Sequence, residues 1–158
     1  MSLSASRTAA AAASLALLLP ATGTSRDPMP AEREWRTHGG DPGHTQFSPL
    51  DQIDTSNVGG LEVAWTYRTG DAREEGRSQI QCNPIVVDGV LYGTTARVDT
   101  FALDAATGRE LWRFRPSENV TEGLPDFLGA NRGVTYWSDG KEARILVTVG
   151  QHLSLIHI

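Results

Sequence analysis

Ala102-Leu103-Asp104-Ala105-Ala106-Thr107-Gly108-Arg109-Glu110-Leu111-Trp112 is the stretch that decides the fold. Phe101 to Leu103 are strand formers, Asp104 to Gly108 carry turn chemistry with a glycine free to take positive φ, and Leu111 to Phe114 resume an apolar/basic alternation. A β-hairpin is predicted. Trp112 is too large an indole for one small sheet to bury, so the hairpin needs a neighbouring copy to pack against. The chain reads as a repeat protein.

A fainter copy, Leu61-Glu62-Val63-Ala64-Trp65-Thr66-Tyr67-Arg68-Thr69-Gly70, also ends an alternating run with a tryptophan, and Trp65 precedes Trp112 by 47 positions. Four-stranded propeller blades recur at roughly 40 to 50 residues, whereas helical repeats are mostly shorter and carry a 3.6-residue apolar period absent here. Two unrelated hairpins in a sandwich are the alternative. Between the tryptophans, Pro84 to Thr95 holds a second strand pair around Asp88-Gly89, a strong two-residue hairpin signal, and fits the inner strands of a blade. A further strand over Ala143 to Val149 is expected to open the next blade.

Another Ala-x-Asp-x-x-Thr-Gly strand is due after it, yet the chain reads Leu153-Ser154-Leu155-Ile156-His157-Ile158. Residues 154–158 therefore read as an anomalous tail whose native origin is in question. A closed propeller needs at least four blades of about 40 residues, and 158 residues hold little more than two. The expectation is an all-β chain forming a partial β-propeller, its blades at 35–153 and truncated. Open strand edges would make such a piece aggregation-prone alone.

The N-terminus points to export. Arg7 is the only charge before Arg26, an apolar stretch runs from Ala9 to Leu19, and Ala21-Thr22-Gly23 offers a small-x-small cleavage pattern. Residues 1–23 are read as a signal peptide, placing the mature protein in the periplasm or outside the cell. The stretch falls short of the about 20 apolar residues of a transmembrane helix and is closed by Pro20. Residues 24–34, rich in Pro, Arg and acidic residues, read as a flexible lead-in.

Composition excludes more than it assigns. The net charge is −5, and without Arg7 it is −6, 13 basic against 19 acidic residues. With no basic stripe, nucleic acid is excluded as a partner. Arg109, Arg113 and Arg115 alternate with Leu111, Trp112 and Phe114 as a solvated strand face would. Cys82 stands alone and reads as a small buried hydrophobe. His38 and His44 flank Gly39-Gly40-Asp41-Pro42-Gly43, a loop whose spacing fits no common metal-ligand pattern. Asn119-Val120-Thr121 is a formal glycosylation acceptor, and Glu74 and Glu75 read as solvated loop carboxylates. No catalytic residue and no metal ligand is assigned from spacing.

The segment Trp35 to Trp65, with Gly39-Gly40-Asp41, Phe47-Ser48-Pro49-Leu50, Gln52-Ile53, Asn57-Val58 and Leu61, resembles the opening of quinoprotein dehydrogenases that use pyrroloquinoline quinone. Gln81-Cys82-Asn83-Pro84-Ile85-Val86-Val87, the tryptophan-docking repeat Ala102 to Trp112, and Asn131-Arg132-Gly133-Val134-Thr135-Tyr136-Trp137 follow in the family's order. The resemblance covers about Glu34 to Leu153 and is strongest toward the membrane-type glucose dehydrogenases and their exported relatives. It implies an eight-bladed propeller, with the chain as its N-terminal part. It also implies pyrroloquinoline quinone on the axis with calcium beside it, and oxidation of a sugar or alcohol. Electrons would pass to a membrane quinone or a cytochrome.

Three residues carry over as cofactor-binding. Arg132 matches the family's arginine, whose guanidinium grips a carboxylate in bidentate fashion. A blade-edge arginine paired with Asp126 or Asp139 is the alternative. Gln81 stands where many members have a glutamate and still offers a donor and an acceptor. Thr148 lies where relatives place a hydroxyl near the cofactor. Asp126-Phe127-Leu128-Gly129-Ala130 lacks the adjacent cysteine pair that the alcohol and methanol dehydrogenases of the family set over the quinone, which points to the glucose-type or a related branch. Calcium ligands and the catalytic aspartate are expected beyond this stretch, leaving the piece alone inactive. A non-catalytic exported propeller, serving as an assembly scaffold or binding a sugar, is the rival reading.

Overall fold

The computed structural model describes residues 34–72, 78–116, 131–150 and 152–158. The expected signal peptide, the lead-in up to residue 33, Glu74, Glu75, Asn119 to Thr121 and Asp126 to Ala130 lie outside the described residues. Two antiparallel sheets form the fold. β1 (Ile85–Val87), β2 (Val90–Thr94), β3 (Thr100–Asp104) and β4 (Glu110–Phe114) make the first in chain order. β5 (Thr135–Ser138), β6 (Ala143–Val149) and β7 (His152–His157) make the second.

Local chemistry sets each turn of the first sheet. Asp88 and Gly89 have φ of 50° and 75°, the paired left-handed conformations of a tight hairpin, and the ladder closes at Val87↔Val90. Between β3 and β4, Asp104 Oδ1 accepts from the backbone N–H of Ala106 at 3.1 Å and of Thr107 at 2.9 Å, and from the Thr107 hydroxyl at 2.9 Å. Those bonds, the Thr107 hydroxyl foremost, hold the Asp104 carboxyl below the usual carboxylate range. Gly108 closes the turn at φ 71°.

The sheets pack face to face like adjoining blades. Ile85, Val87, Tyr92, Val98 and Ala102 of the first meet Val134, Ile145, Val147 and Val149 of the second in one buried cluster, with Trp112, Tyr136 and Ile156 packed against it. Ile85, Tyr92, Ala102 and Trp112 stand opposite one another across the four strands and so share the core face. The Trp112 ring lies 5.9 Å from that of Tyr92. The indole is half-buried against the core that the two sheets share, in line with the expectation that it needs a second sheet to pack against.

On the opposite face, Phe101 and Leu103 are buried although no strand among the described residues covers them. Their cover is the fainter repeat: Tyr67 lies 5.1 Å from the Phe101 ring, and the Trp65 Nε1–H donates to the Ala105 carbonyl at 3.2 Å. Residues 61–69 are not a strand, and they join no β-ladder among the described residues. They dock through alternate side chains instead, Trp65, Tyr67 and Thr69 half-buried with exposed residues between.

Two sequence readings are corrected here. Arg113 is not on a solvated face. Its side chain is only 10% exposed, 3.6 Å from Asp99, and its guanidinium donates to the Thr69 carbonyl at 3.0 Å and the Tyr67 hydroxyl at 2.7 Å, fastening the docked segment. The second blade opens one strand earlier than expected, with β5, and Ala143 to Val149 is its second strand. At the C-terminus, β7 pairs with β6 from Val149↔His152 to Arg144↔His157, so residues 154–157 continue the sheet as its third strand. The opening is also anchored. The Glu34 carboxylate, fully buried, accepts from Arg36 Nε at 2.7 Å and the Asp88 N–H at 2.7 Å. Arg36 lies over the Tyr136 ring of the second sheet, and Trp35 bridges to Val86.

Candidate functional site

Radially arranged sheets approach most closely at their innermost strands, and here that approach lies at the starts of β1 and β5. Asn83 and Gly133 form a parallel bridge, and the Asn83 backbone N–H donates to the Arg132 carbonyl at 2.9 Å. Gly133 is required there. Its φ is +139° and a Cβ would stand 2.7 Å from the Asn83 carbonyl oxygen.

Of the three residues expected from sequence, Arg132 stands at this junction, Thr148 is tied to it through Asn131, and Gln81 precedes it in the lead-in to β1. Arg132 is exposed between Asn131 and Gly133, and among the described residues no carboxylate pairs with it. Asp139, one of its two alternative partners, instead accepts the backbone N–H of Glu142 at 2.9 Å and of Lys141 at 2.8 Å, bonds that hold its carboxyl below the usual range, and Asp126, the other, lies outside the described residues. Thr148, exposed near the end of β6, is tied to the residue before Arg132: its carbonyl accepts from Asn131 Nδ2 at 2.7 Å. Gln81 is half-buried, two residues before Asn83. A guanidinium, a primary amide and a hydroxyl are donors suited to an anionic ligand.

Sequence reading missed Asn131 and Asn83 as working side chains. Asn131 Oδ1 accepts the Gly133 N–H at 2.7 Å while its Nδ2 reaches Thr148, and Asn83 Nδ2 donates to the Arg132 carbonyl at 3.3 Å. The only signal was their place beside Arg132 and Gln81 in the family motifs. Cys82 is half-buried rather than buried, and its sulfur accepts the Thr94 N–H at 3.1 Å, a bond no composition argument reveals.

Asn83 also borders a cleft of about 490 Å³ that Trp35, His38, Gly39 and Gln46 help to line. His38 and His44 meet edge to face with centroids 5.3 Å apart, across a loop that Gly39 and Gly40 turn at φ of 79° and 91°. Among the described residues no group of three or more His, Cys, Asp or Glu is placed to hold a metal ion.

Residues 35–157 match the family model described as PQQ, the glucose/ethanol/alcohol dehydrogenase β-propeller domain. The chain is 38% identical to the quinoprotein glucose dehydrogenase of Escherichia coli (strain K12) over 109 residues, covering 67% of this chain and 13% of that protein. It is 39% identical to the dehydrogenase subunit of the alcohol dehydrogenase (quinone) of Gluconobacter oxydans (strain 621H) over 119 residues, covering 73% and 15%. Among solved structures it is similar to the quinohemoprotein alcohol dehydrogenase ADHIIG of Pseudomonas putida HK5. That likeness has a TM-score of 0.63 and 33% identity, over 79% of this chain and 17% of that one. The chain therefore spans less than a fifth of the length of these relatives.

Proposed function

The chain belongs to the family of glucose, ethanol and alcohol dehydrogenases that depend on pyrroloquinoline quinone, and from that membership we propose that it forms the first blades of an exported enzyme oxidising a sugar or alcohol hydroxyl. Arg132 carries this reading. An arginine that no carboxylate among the described residues pairs with, at the junction where two blades converge, fits a flat cofactor bearing three carboxylates. When bound, the quinone supplies the two-electron oxidising capacity for the substrate hydroxyl.

The roles of the chain's own residues follow from their chemistry. Arg132 binds a cofactor carboxylate and orients the ring system. Gln81, an amide where many relatives have a glutamate, contributes a neutral donor and acceptor and adds no negative charge beside an anionic ligand. Thr148 offers a hydroxyl beside Asn131. Calcium completes the proposed site, and no described residue is assigned to it. The proposed electron acceptor is a membrane quinone or a cytochrome, and the proposed compartment is the periplasm, on the strength of residues 1–23. Asp126 to Ala130, without an adjacent cysteine pair, favours the glucose-type branch over the methanol-type.

The test is dye-linked oxidation by the full-length protein, purified without cofactor and then given pyrroloquinoline quinone and calcium. Oxidation of glucose or a primary alcohol that requires the quinone supports the reading. Quinone that binds without any turnover across a panel of sugars and alcohols favours a non-catalytic propeller. The 158-residue chain alone is expected to be inactive, since it holds no assigned base.

A further inference from the structure

We propose that Asn131 and Asn83 are positioning residues for cofactor binding, fixing the Arg132 peptide across the junction of the two sheets so that its guanidinium meets a cofactor carboxylate already oriented. The inference rests on the reading of Arg132 as a cofactor-binding group. An arginine side chain has many rotamers, and affinity is lost when binding must also order the backbone that carries it.

The bonds around Arg132 address that backbone. Asn131 engages both ends of its amide: Oδ1 takes the Gly133 N–H at 2.7 Å, just after Arg132, and Nδ2 gives to the Thr148 carbonyl on β6 at 2.7 Å. From the other sheet, Asn83 directs two donors at the Arg132 carbonyl, its backbone N–H at 2.9 Å and Nδ2 at 3.3 Å. The Thr94 hydroxyl, at the end of β2, stands 3.5 Å from Asn131 Oδ1, so the amide touches both sheets. Arg132 is thus held at its carbonyl and at both neighbours while its charged end stays exposed.

The choice of asparagine has a chemical reason. An aspartate at position 131 would still accept from Gly133, but it would repel the Thr148 carbonyl and place a carboxylate beside Arg132. That charge would compete with the ligand for the guanidinium. A neutral amide gives the same grip without offering the arginine an internal partner.

The test is a double-mutant cycle on the full-length protein prepared without cofactor, titrating pyrroloquinoline quinone by quenching of intrinsic fluorescence. The proteins are wild type, Asn131→Ala, Arg132→Ala and the double variant, with the melting temperature of each recorded. Asn131→Ala is expected to weaken binding about tenfold, the scale on which supporting residues act. Arg132→Ala is expected to weaken it further, and the double variant should bind no worse than Arg132→Ala alone, because a residue acting through Arg132 has nothing left to act on. A double variant whose loss equals the product of the two single losses overturns the inference, since a general structural role is additive. So does Asn131→Ala binding like wild type while Arg132→Ala is impaired. Arg132→Ala binding like wild type overturns the cofactor role of Arg132 and this inference with it. Should Asn131→Ala fail to fold, Asn83→Ala replaces it in the cycle. That variant keeps the backbone donor and loses only the longer bond, so a fall of roughly threefold, absent in the Arg132→Ala background, is expected.

Discussion

Trp65 lies on Gly108: a Cβ on the glycine would stand 2.5 Å from Cδ2 and Cε3 of the indole, whose Nε1–H reaches the Ala105 carbonyl at 3.2 Å. The turn of one repeat is thus the seat for the tryptophan of the copy before it. Gly108 serves twice, taking the left-handed φ of 71° that closes the turn and leaving room for the ring. Trp112, the corresponding residue of the next copy, packs on Tyr92 against the core shared by the two sheets.

Two glycine substitutions separate those duties. Gly89→Ala meets nothing within 4 Å and bears only its backbone strain at φ 75°, about 1 kcal/mol. Gly108→Ala bears the same strain and displaces Trp65, so its cost in the full-length protein should be nearer 3 kcal/mol. Chemical denaturation checks the ratio, and a red-shifted tryptophan emission should accompany Gly108→Ala alone.

Alkaline pH should act through Tyr92. Burial, with Asp88 and Tyr136 adding to it, pushes its hydroxyl up to about 12 from an ordinary 10.0. A folded-state value above the unfolded one means that the contribution is complete below pH 10 and is lost as pH rises toward 12. Tyr92→Phe should flatten the decline of melting temperature across that window and change little at neutral pH.

Arg113 fastens the segment 61–69, so Arg113→Gln should release it. The guanidinium's bonds to the Thr69 carbonyl and the Tyr67 hydroxyl would go, while Asp99 keeps Arg115 at 3.7 Å. Cleavage between residues 61 and 69 under limited proteolysis, read by mass spectrometry, should rise about tenfold, a loss near 1.4 kcal/mol of local stability.

Gly133→Ala should damage cofactor binding more than Gly140→Ala. The first drives a Cβ to 2.7 Å from the Asn83 carbonyl oxygen and parts the bridge beside Arg132, and the second meets nothing within 4 Å. Quinone titration of both variants should give a loss of at least about tenfold for Gly133→Ala only.

Much of this architecture was legible because turns are local. Asp88-Gly89 and the Asp104 to Gly108 turn depend on neighbours in sequence, and both hairpins formed where their residues placed them. β5 was harder to see, because Thr135 to Ser138 is short and mostly exposed and lacks a clean apolar alternation. Arg113 misled for a different reason: its alternation with Trp112 and Phe114 resembles a solvated edge, and only the non-local docking of Tyr67 and Thr69 turns that edge into a buried one. At the candidate site, Arg132 is singled out by its motif alone. The grips of Asn83 and Asn131 join residues 49 and 17 positions apart, and no local pattern encodes them.

The most direct measurement is a structure of the full-length protein with pyrroloquinoline quinone bound. The Arg132 guanidinium should meet a cofactor carboxylate through two nearly parallel bonds of about 2.8 Å, at the junction of β1 and β5. A guanidinium turned to the outer surface, with the quinone held elsewhere, would contradict the account.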